Sequence, residues 1–451
     1  MILMIKKLTN KLFKPSSVLP LVFTRIFFGI FGVIHSMKFL MDPEWLILNF
    51  QTYKIQPSYS LFQFIQPISL SNIHSLILLM FILSLFISFG FLYRASIISY
   101  TIIFSYLFLI NRQFYLNHYY FIILISFLMS FAPANCLHSV DAKLFPRIKT
   151  NTVPFFYQFL ILFQMSIAYI FGGIAKLNPD WLHGYPLRVW IESLPNFSIL
   201  NNFKNPEVLA YALSYSGLFF DLFIVLFLIF KKTRKIGLIM VAEFHILNAF
   251  LFNIGVFPYF SLVLTLLFLD DSFFIKLFNM LKFNQVKINK IFFKPNKNII
   301  AVITIWMAIQ VLVPLRSYIF NFNPKWSGVG DNFSWRMRLH DYKGDLKYKI
   351  SDPVNKRLII FDVEANSYQL FQEHQLGFVI RDPESIVLGA KHLAKMYLEG
   401  SGVIPEVYAI SNLEVDGRAP QSYIDPTKDL TRVELRTFEE LDILMPFDAK
   451  R

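Results

Sequence analysis

Nine apolar runs, at 18–40, 73–93, 95–111, 118–133, 154–175, 209–230, 236–252, 256–270 and 299–319, constrain this chain more than any other feature. A helix needs roughly 20 mostly apolar residues to cross the hydrocarbon of a bilayer, and the runs meet or approach that length. With 55% of residues hydrophobic, 18% aromatic and only 16% charged, such a chain cannot hide its apolar surface in one water-soluble core. The expected fold class is an α-helical integral membrane protein of about nine transmembrane helices. The formal net charge of +13 would point to nucleic acid in a soluble protein. Here the basic residues sit in short clusters between apolar runs, as in cytoplasmic loops, so a lipid bilayer is the expected partner and nucleic acid is not. Cys136 is the single cysteine, which excludes an intrachain disulfide, a Cys-rich zinc site and a dithiol pair.

Placing the N-terminus in the cytoplasm puts Lys6, Lys7, Lys11 and Lys14, then Arg94, then Lys143, Arg147 and Lys149, then the KKTRK run at 231–235, then Lys276 through Lys297, on one side. An odd number of spans follows, and everything after about 320 faces outward. The basic N-terminal stretch has no small-residue cleavage site after it and reads as retained. Composition changes at Asn321–Asn323. Beyond it LKYKISD, KRLIIFDVE, EVYAISNLEV and TRVELRT alternate like strands, and 384–399 reads as an amphipathic helix. The expected organisation is a cytoplasmic lead at 1–17, a helical bundle at 18–320 with a site near its outer face, and a C-terminal, mainly β extracytoplasmic domain at 321–451.

Ionisable groups inside apolar spans are costly and usually face a bundle interior or cavity. Arg25, His118, Lys176, Asp221, Glu243, His245 and Asn248 are of this kind. Arg25 and Asp221 read as a structural ion pair between helices. His245 and Asn248, three apart, share a helix face, whereas Glu243 and His245, two apart, do not. Lys176 taken alone reads as an interfacial lysine whose stem snorkels to water. A metal site built from His118, His245 and His340 lacks the short spacing such sites use, and no metal is expected.

The segment YIFGGIAKLNPDWLHGYPLRVWI at 169–191 resembles the active-site lysine segment of the vitamin K-dependent γ-glutamyl carboxylases. Further landmarks of that family follow in order: NHYY at 117–120, FFDLFIVLFL at 219–228, FHILNAFLFNIGVFPY at 244–259, WSGVGDNFSWRMRLH at 326–340 and VYAISNLEVDGRAPQSYIDP at 407–426. The chain is similar to a bacterial homologue of the HTTM-domain type. The resemblance implies Lys176 as the catalytic base, His118 as the histidine assisting it, and His245, Asn248, Trp181, His340 and Trp335 as candidates for the quinol or substrate site. It also implies reduced vitamin K (hydroquinone) with O2 and CO2 as co-substrates, a glutamate-containing polypeptide as partner, and carboxylation of its γ-carbon as the quinone leaves as the epoxide. A bacterial inner membrane is the expected location. An amine acts as a base only when neutral, and apolar burial disfavours its charged form, by about 2.5–3.5 kcal/mol at a helix centre on insertion scales. Two other readings stay open here: a quinol epoxidase or oxidoreductase without glutamate carboxylation, and a non-catalytic membrane binding or transport protein. Against the transporter, no pair of related halves is visible in the sequence.

Overall fold

The computed structural model describes residues 9–50, 55, 57–193, 205–252, 254–283, 293–319, 323–366, 370–371, 373–435 and 439–450. Lys6 and Lys7 of the N-terminal lead, positions 284–292 of the Lys276–Lys297 stretch, and Asn321 and Phe322 of the expected domain boundary lie outside these.

In chain order the apolar helices are α1 (Leu19–Leu40), α2 (Leu70–Phe89), α3 (Tyr93–Leu109), α4 (Asn117–Phe131), α5 (Phe156–Lys176), α6 (Pro206–Ile229), α7 (Arg234–Phe252), α8 (Phe257–Thr265) and α9 (Lys297–Ile319). Among the described residues, six of them, α1, α2, α5, α6, α7 and α9, are long and apolar enough to cross a membrane, while α3, α4 and α8 are shorter. Burial grades across the bundle. In the most apolar window of α1, 72% of residues are buried inside the protein, against 17% for α9. Thus α1 lies in the interior, and α9 turns Val302, Ile305 and Leu312 outward, as a helix bathed in lipid does.

The ends follow local chemistry. At α6 the Asn205 side chain accepts from the N–H groups of Glu207 and Val208, with Pro206 in the first helical position. Gly90 ends α2 in a left-handed conformation (φ 65°). Strand β1 (Pro15–Ser17) pairs antiparallel with β2 (Thr152–Pro154), and the Asp271 carboxylate accepts from the Ser17 N–H at 2.8 Å. These contacts fasten the starts of α1 and α5 together.

The expected Arg25–Asp221 pair is not formed. The Arg25 guanidinium donates instead to the carbonyls of Ala134 (3.0 Å), Leu137 (3.4 Å) and His138 (2.6 Å). Its several donors suit a turn whose carbonyls would otherwise be buried unpaired, and Asp221 is left to another cation.

Beyond α9 the chain builds a four-stranded antiparallel sheet from β3 (Tyr342–Asp352), β4 (Arg357–Asp362), β5 (Glu406–Val415) and β6 (Gln421–Ser422), in the order β4-β3-β5-β6. Tyr348 lies opposite both Phe361 and Ala409. The period-two alternation places Leu346, Tyr348, Ile350, Val407, Ala409 and Leu413 on one face. There they meet Ile386, Val387, Ala390 and Leu393 of α10 (Pro383–Ser401) in a core of their own. The helix expected at 384–399 is therefore present, and the C-terminal region combines a sheet with it. TRVELRT is not a strand. Leu430–Arg432 forms a 3-10 turn because the Asp429 carboxylate accepts from both the N–H and the hydroxyl of Thr431; positions 436–438 lie outside the described residues.

Buried charges join this C-terminal unit to the bundle. Arg112, in the α3–α4 connection, donates to Asp382 and Glu384 at 2.5 Å each, just where α10 begins. Asp180, in the turn after α5, takes Lys325 at 2.7 Å and Arg418 at 2.5 Å.

Candidate active site

The sequence around Gly172-Gly173 decides where Lys176 ends up. A Cβ built on Gly173 would lie 2.9 Å from the Leu222 backbone nitrogen, so only glycine allows α5 and α6 to approach this closely, as small residues do in membrane helix pairs. The close approach sets Lys176 on α5 beside Asp221 on α6, with Nζ 2.5 Å from Oδ2. The lysine side chain runs back toward the N-terminus of its helix, and Nζ lies 3.5 Å from the Gly172 carbonyl. It points into the bundle rather than snorkelling outward. Both side chains are buried, 8% and 3% exposed.

Trp181 covers this pair, its ring centroid 5.1 Å from Lys176 Nζ. Two bonds hold the ring. Asn178 caps the short helix Pro179–Leu182 by accepting from the Trp181 N–H, and the indole Nε1 donates to the Ser214 carbonyl at 2.8 Å.

Lys176 and Asp221 open on a cavity of about 220 Å³ whose wall also includes His118, His245, Asn248, Trp181 and Trp335. Six of the seven residues singled out in the sequence thus converge on one space. The wall is otherwise largely apolar and aromatic, with Phe121, Phe244 and Phe257 among its members. His245 Nε2 lies 2.8 Å from the Tyr169 hydroxyl, which fixes its ring. His118 packs against Phe257 (centroids 5.1 Å apart) and Tyr119 (4.6 Å). It faces the same cavity as Lys176, but no hydrogen bond joins the two among the described residues; the amine's partner is Asp221. Trp335, 1% exposed, has its Nε1 buried without a hydrogen-bond partner. Its loop is laced to the start of α4: Asn117 Nδ2 donates to the Arg336 carbonyl at 3.1 Å, and the Phe333 N–H donates to the Tyr115 hydroxyl at 2.6 Å.

His340 is the exception. It is absent from the cavity wall and sits farther out, Nδ1 2.9 Å from Asp416 Oδ2. Backbone turns at Trp335 (φ 58°) and Arg338 (φ 43°) swing the chain away before His340 is reached. Among the described residues, His340, Asp416 and Asp180 form the one grouping of metal-ligand types, with atoms within 4.8 Å of one another. The Asp180 charge there is already balanced by Lys325 and Arg418.

Sequence reasoning missed Asp221 as the partner of Lys176, and missed Tyr169 and Arg338 as members of the wall. The signal for Asp221 was the presence of two opposite charges in apolar helices, each of which needs a partner.

The chain matches two family descriptions: the HTTM domain over residues 13–273, and the vitamin K-dependent gamma-carboxylase, lumenal domain, over residues 295–450. No solved structure matches it. Fold, cavity and matches together define an HTTM membrane protein carrying a C-terminal region that matches the lumenal-domain description. The chain belongs to the vitamin K-dependent γ-carboxylase family.

Proposed function

We propose that this protein is a vitamin K hydroquinone-dependent γ-glutamyl carboxylase in which Lys176 is the base that deprotonates the quinol. The carrying observation is the buried Lys176–Asp221 pair opening on an apolar cavity inside a membrane bundle. In this reading all nine apolar helices span a bacterial cell membrane, the N-terminus is cytoplasmic, and the division into a lead (1–17), a bundle (18–320) and an extracytoplasmic domain (321–451) holds.

The wall fits a reduced quinone. Trp181, Trp335, Phe121 and Phe244 offer flat apolar faces, while Lys176, His118, His245 and Asn248 set polar groups beside them, and the Trp335 Nε1 is a buried donor in want of an acceptor. A bound reduced vitamin K supplies an acidic hydroxyl and the reducing electrons for reaction with O2. Lys176 Nζ accepts a proton, which requires that the amine first be neutral. Asp221 Oδ2, 2.5 Å away, holds the proton the amine gives up. In apolar surroundings a neutral amine beside a carboxylic acid carries the same net charge as the ion pair without the desolvation penalty of two ions. Trp181 over Nζ keeps water from the amine, and the outer domain covers the cavity from above. Exclusion of water protects the carbanion left by loss of the weakly acidic glutamyl γ-proton from reprotonation before CO2 arrives.

A lipid-soluble reactant needs a lateral entrance. The wall residues Ser216 on α6 and Leu247 on α7 are also exposed on the outside of the bundle, so the cavity reaches the lipid-facing side between these helices. Gly217 keeps that passage open. A Cβ there would lie 3.7 Å from Trp181 Cζ2 and 3.9 Å from Lys176 Cε, ordinary contact distances, and a ring would fill the space. Gly217→Ala should therefore behave like the natural protein, whereas Gly217→Phe should raise KM for the quinol roughly tenfold or more with an unchanged melting temperature. Equal KM values in the two variants would place the entrance elsewhere.

The deciding assay uses purified protein in nanodiscs with reduced vitamin K, O2, labelled bicarbonate and a glutamate-containing peptide, following epoxide and fixed label together. Both products support the carboxylase reading. Epoxide without fixed label across a panel of peptides moves the assignment to a quinol epoxidase, and neither product moves it to a binding protein.

A further inference from the structure

Nearly every buried or half-buried cation of this chain has a visible reason for its charge. Lys176 has Asp221, Arg112 has Asp382 and Glu384, Lys325 and Arg418 share Asp180, and Arg336 has Asp331; Arg25 and Arg316 are bound by backbone carbonyls. Arg338 differs. It lines the same cavity as Lys176 and remains exposed, and among the described residues it makes no ion pair and no hydrogen bond. Its guanidinium carbon lies 4.6 Å from the centroid of Phe252 and 5.9 Å from that of Trp190. The acid that influences it electrostatically is Asp341, and that carboxylate already accepts from the Trp190 Nε1 at 3.0 Å.

This arrangement holds the side chain without satisfying it. Trp190 is fixed by Asp341, packs edge-on to Phe252 with centroids 5.4 Å apart, and the Arg338 backbone sits in the left-handed region at φ 43°, where a non-glycine residue persists only if its surroundings impose it. Contact with rings leaves the N–H edge of a guanidinium available, and that planar fork matches a carboxylate in a bidentate fashion. The position is equally telling. Two residues on, His340 binds Asp416 at the end of β5, so Arg338 stands where the C-terminal sheet region meets the cavity.

We propose that Arg338 is the residue that receives the side-chain carboxylate of a glutamyl substrate at the outer mouth of the cavity; this rests on the carboxylase reading for the identity of the anion. The aromatic contacts orient the fork, and the charge selects glutamyl over its uncharged isostere.

The test is equilibrium binding of a short blocked glutamyl peptide and its glutaminyl analogue to the full chain in nanodiscs, without quinol. The natural protein should prefer the glutamyl peptide by about tenfold or more, the range of a charge-assisted bidentate contact. Arg338→Met should abolish the preference, and Arg338→Lys, which keeps the charge but loses the fork, should retain part of it. A preference that survives in Arg338→Met, or its absence in the natural protein, overturns the assignment. Melting curves accompany each variant, and should Arg338→Met unfold, Arg338→Gln is judged by the same rule. Because no turnover is read, a protein that binds the peptide through Arg338 but fixes no label would sink the carboxylase reading and leave this one standing.

Discussion

If Lys176 is the base proposed, Lys176→Arg should lower quinol-dependent turnover by roughly 100- to 10,000-fold, the usual contribution of a positioned general base, while the melting temperature stays close to that of the natural protein. Arginine is the informative replacement because it keeps the positive charge opposite Asp221, 2.5 Å from Nζ in the natural pair, yet a guanidinium does not deprotonate in proteins. Structural and chemical roles are thereby separated: a lysine needed only as a counter-ion tolerates the change, and a lysine needed as a base does not. Lys176→Ala should be equally inactive but less stable, since it leaves a carboxylate 3% exposed without its partner. Epoxide formation by Lys176→Arg within threefold of the natural rate would remove Lys176 from the role of base.

The second large effect is on stability. Asp221→Leu strands the Lys176 ammonium in an apolar cavity, and breaking a buried pair in this way costs about 3–5 kcal/mol. Much of that cost comes from the orphaned charge rather than from the lost contact. The double variant Lys176→Met/Asp221→Leu should therefore recover part of the stability, because no charge remains to be paired, and it should stay inactive. A double-mutant cycle measures the coupling directly. Additive losses, or an Asp221→Leu protein as stable as the natural one, would mean that the pair is not closed when the bundle is folded in lipid.

Much of this was legible in the sequence because the bilayer demands long apolar runs. The run at 154–175 became α5, Phe156–Lys176, and that at 18–40 became α1, Leu19–Leu40. Boundaries shifted where polar caps, not hydropathy, set the end. The helix expected from 209 begins at Pro206 because Asn205 caps it, and the run at 256–270 leaves α-helical geometry after Thr265. Polarity at membrane depth and the family resemblance brought His118, Lys176, His245 and Asn248 to notice, and all four face one cavity. What spacing could not convey was which helices are neighbours. An intramembrane carboxylate must find a cation, but only the close approach at Gly173 settles that Asp221 finds Lys176 and not Arg25. His340 lies outside the cavity wall for a related reason: left-handed turns at Trp335 and Arg338, which neither propensity nor periodicity foretells.

The double clasp on Asp180 has a consequence for how the protein is made. Its two cations arrive 145 and 238 residues after it in the chain, so they leave the ribosome roughly 10–50 s later at ordinary synthesis rates. Until then the Asp180 carboxylate, four residues past Lys176, lacks both cations, while Trp181 beside it is held within the bundle by the Ser214 carbonyl. The C-terminal region therefore completes the charge balance of the turn beside Lys176, and that corner of the bundle is finished only after residue 418 has emerged.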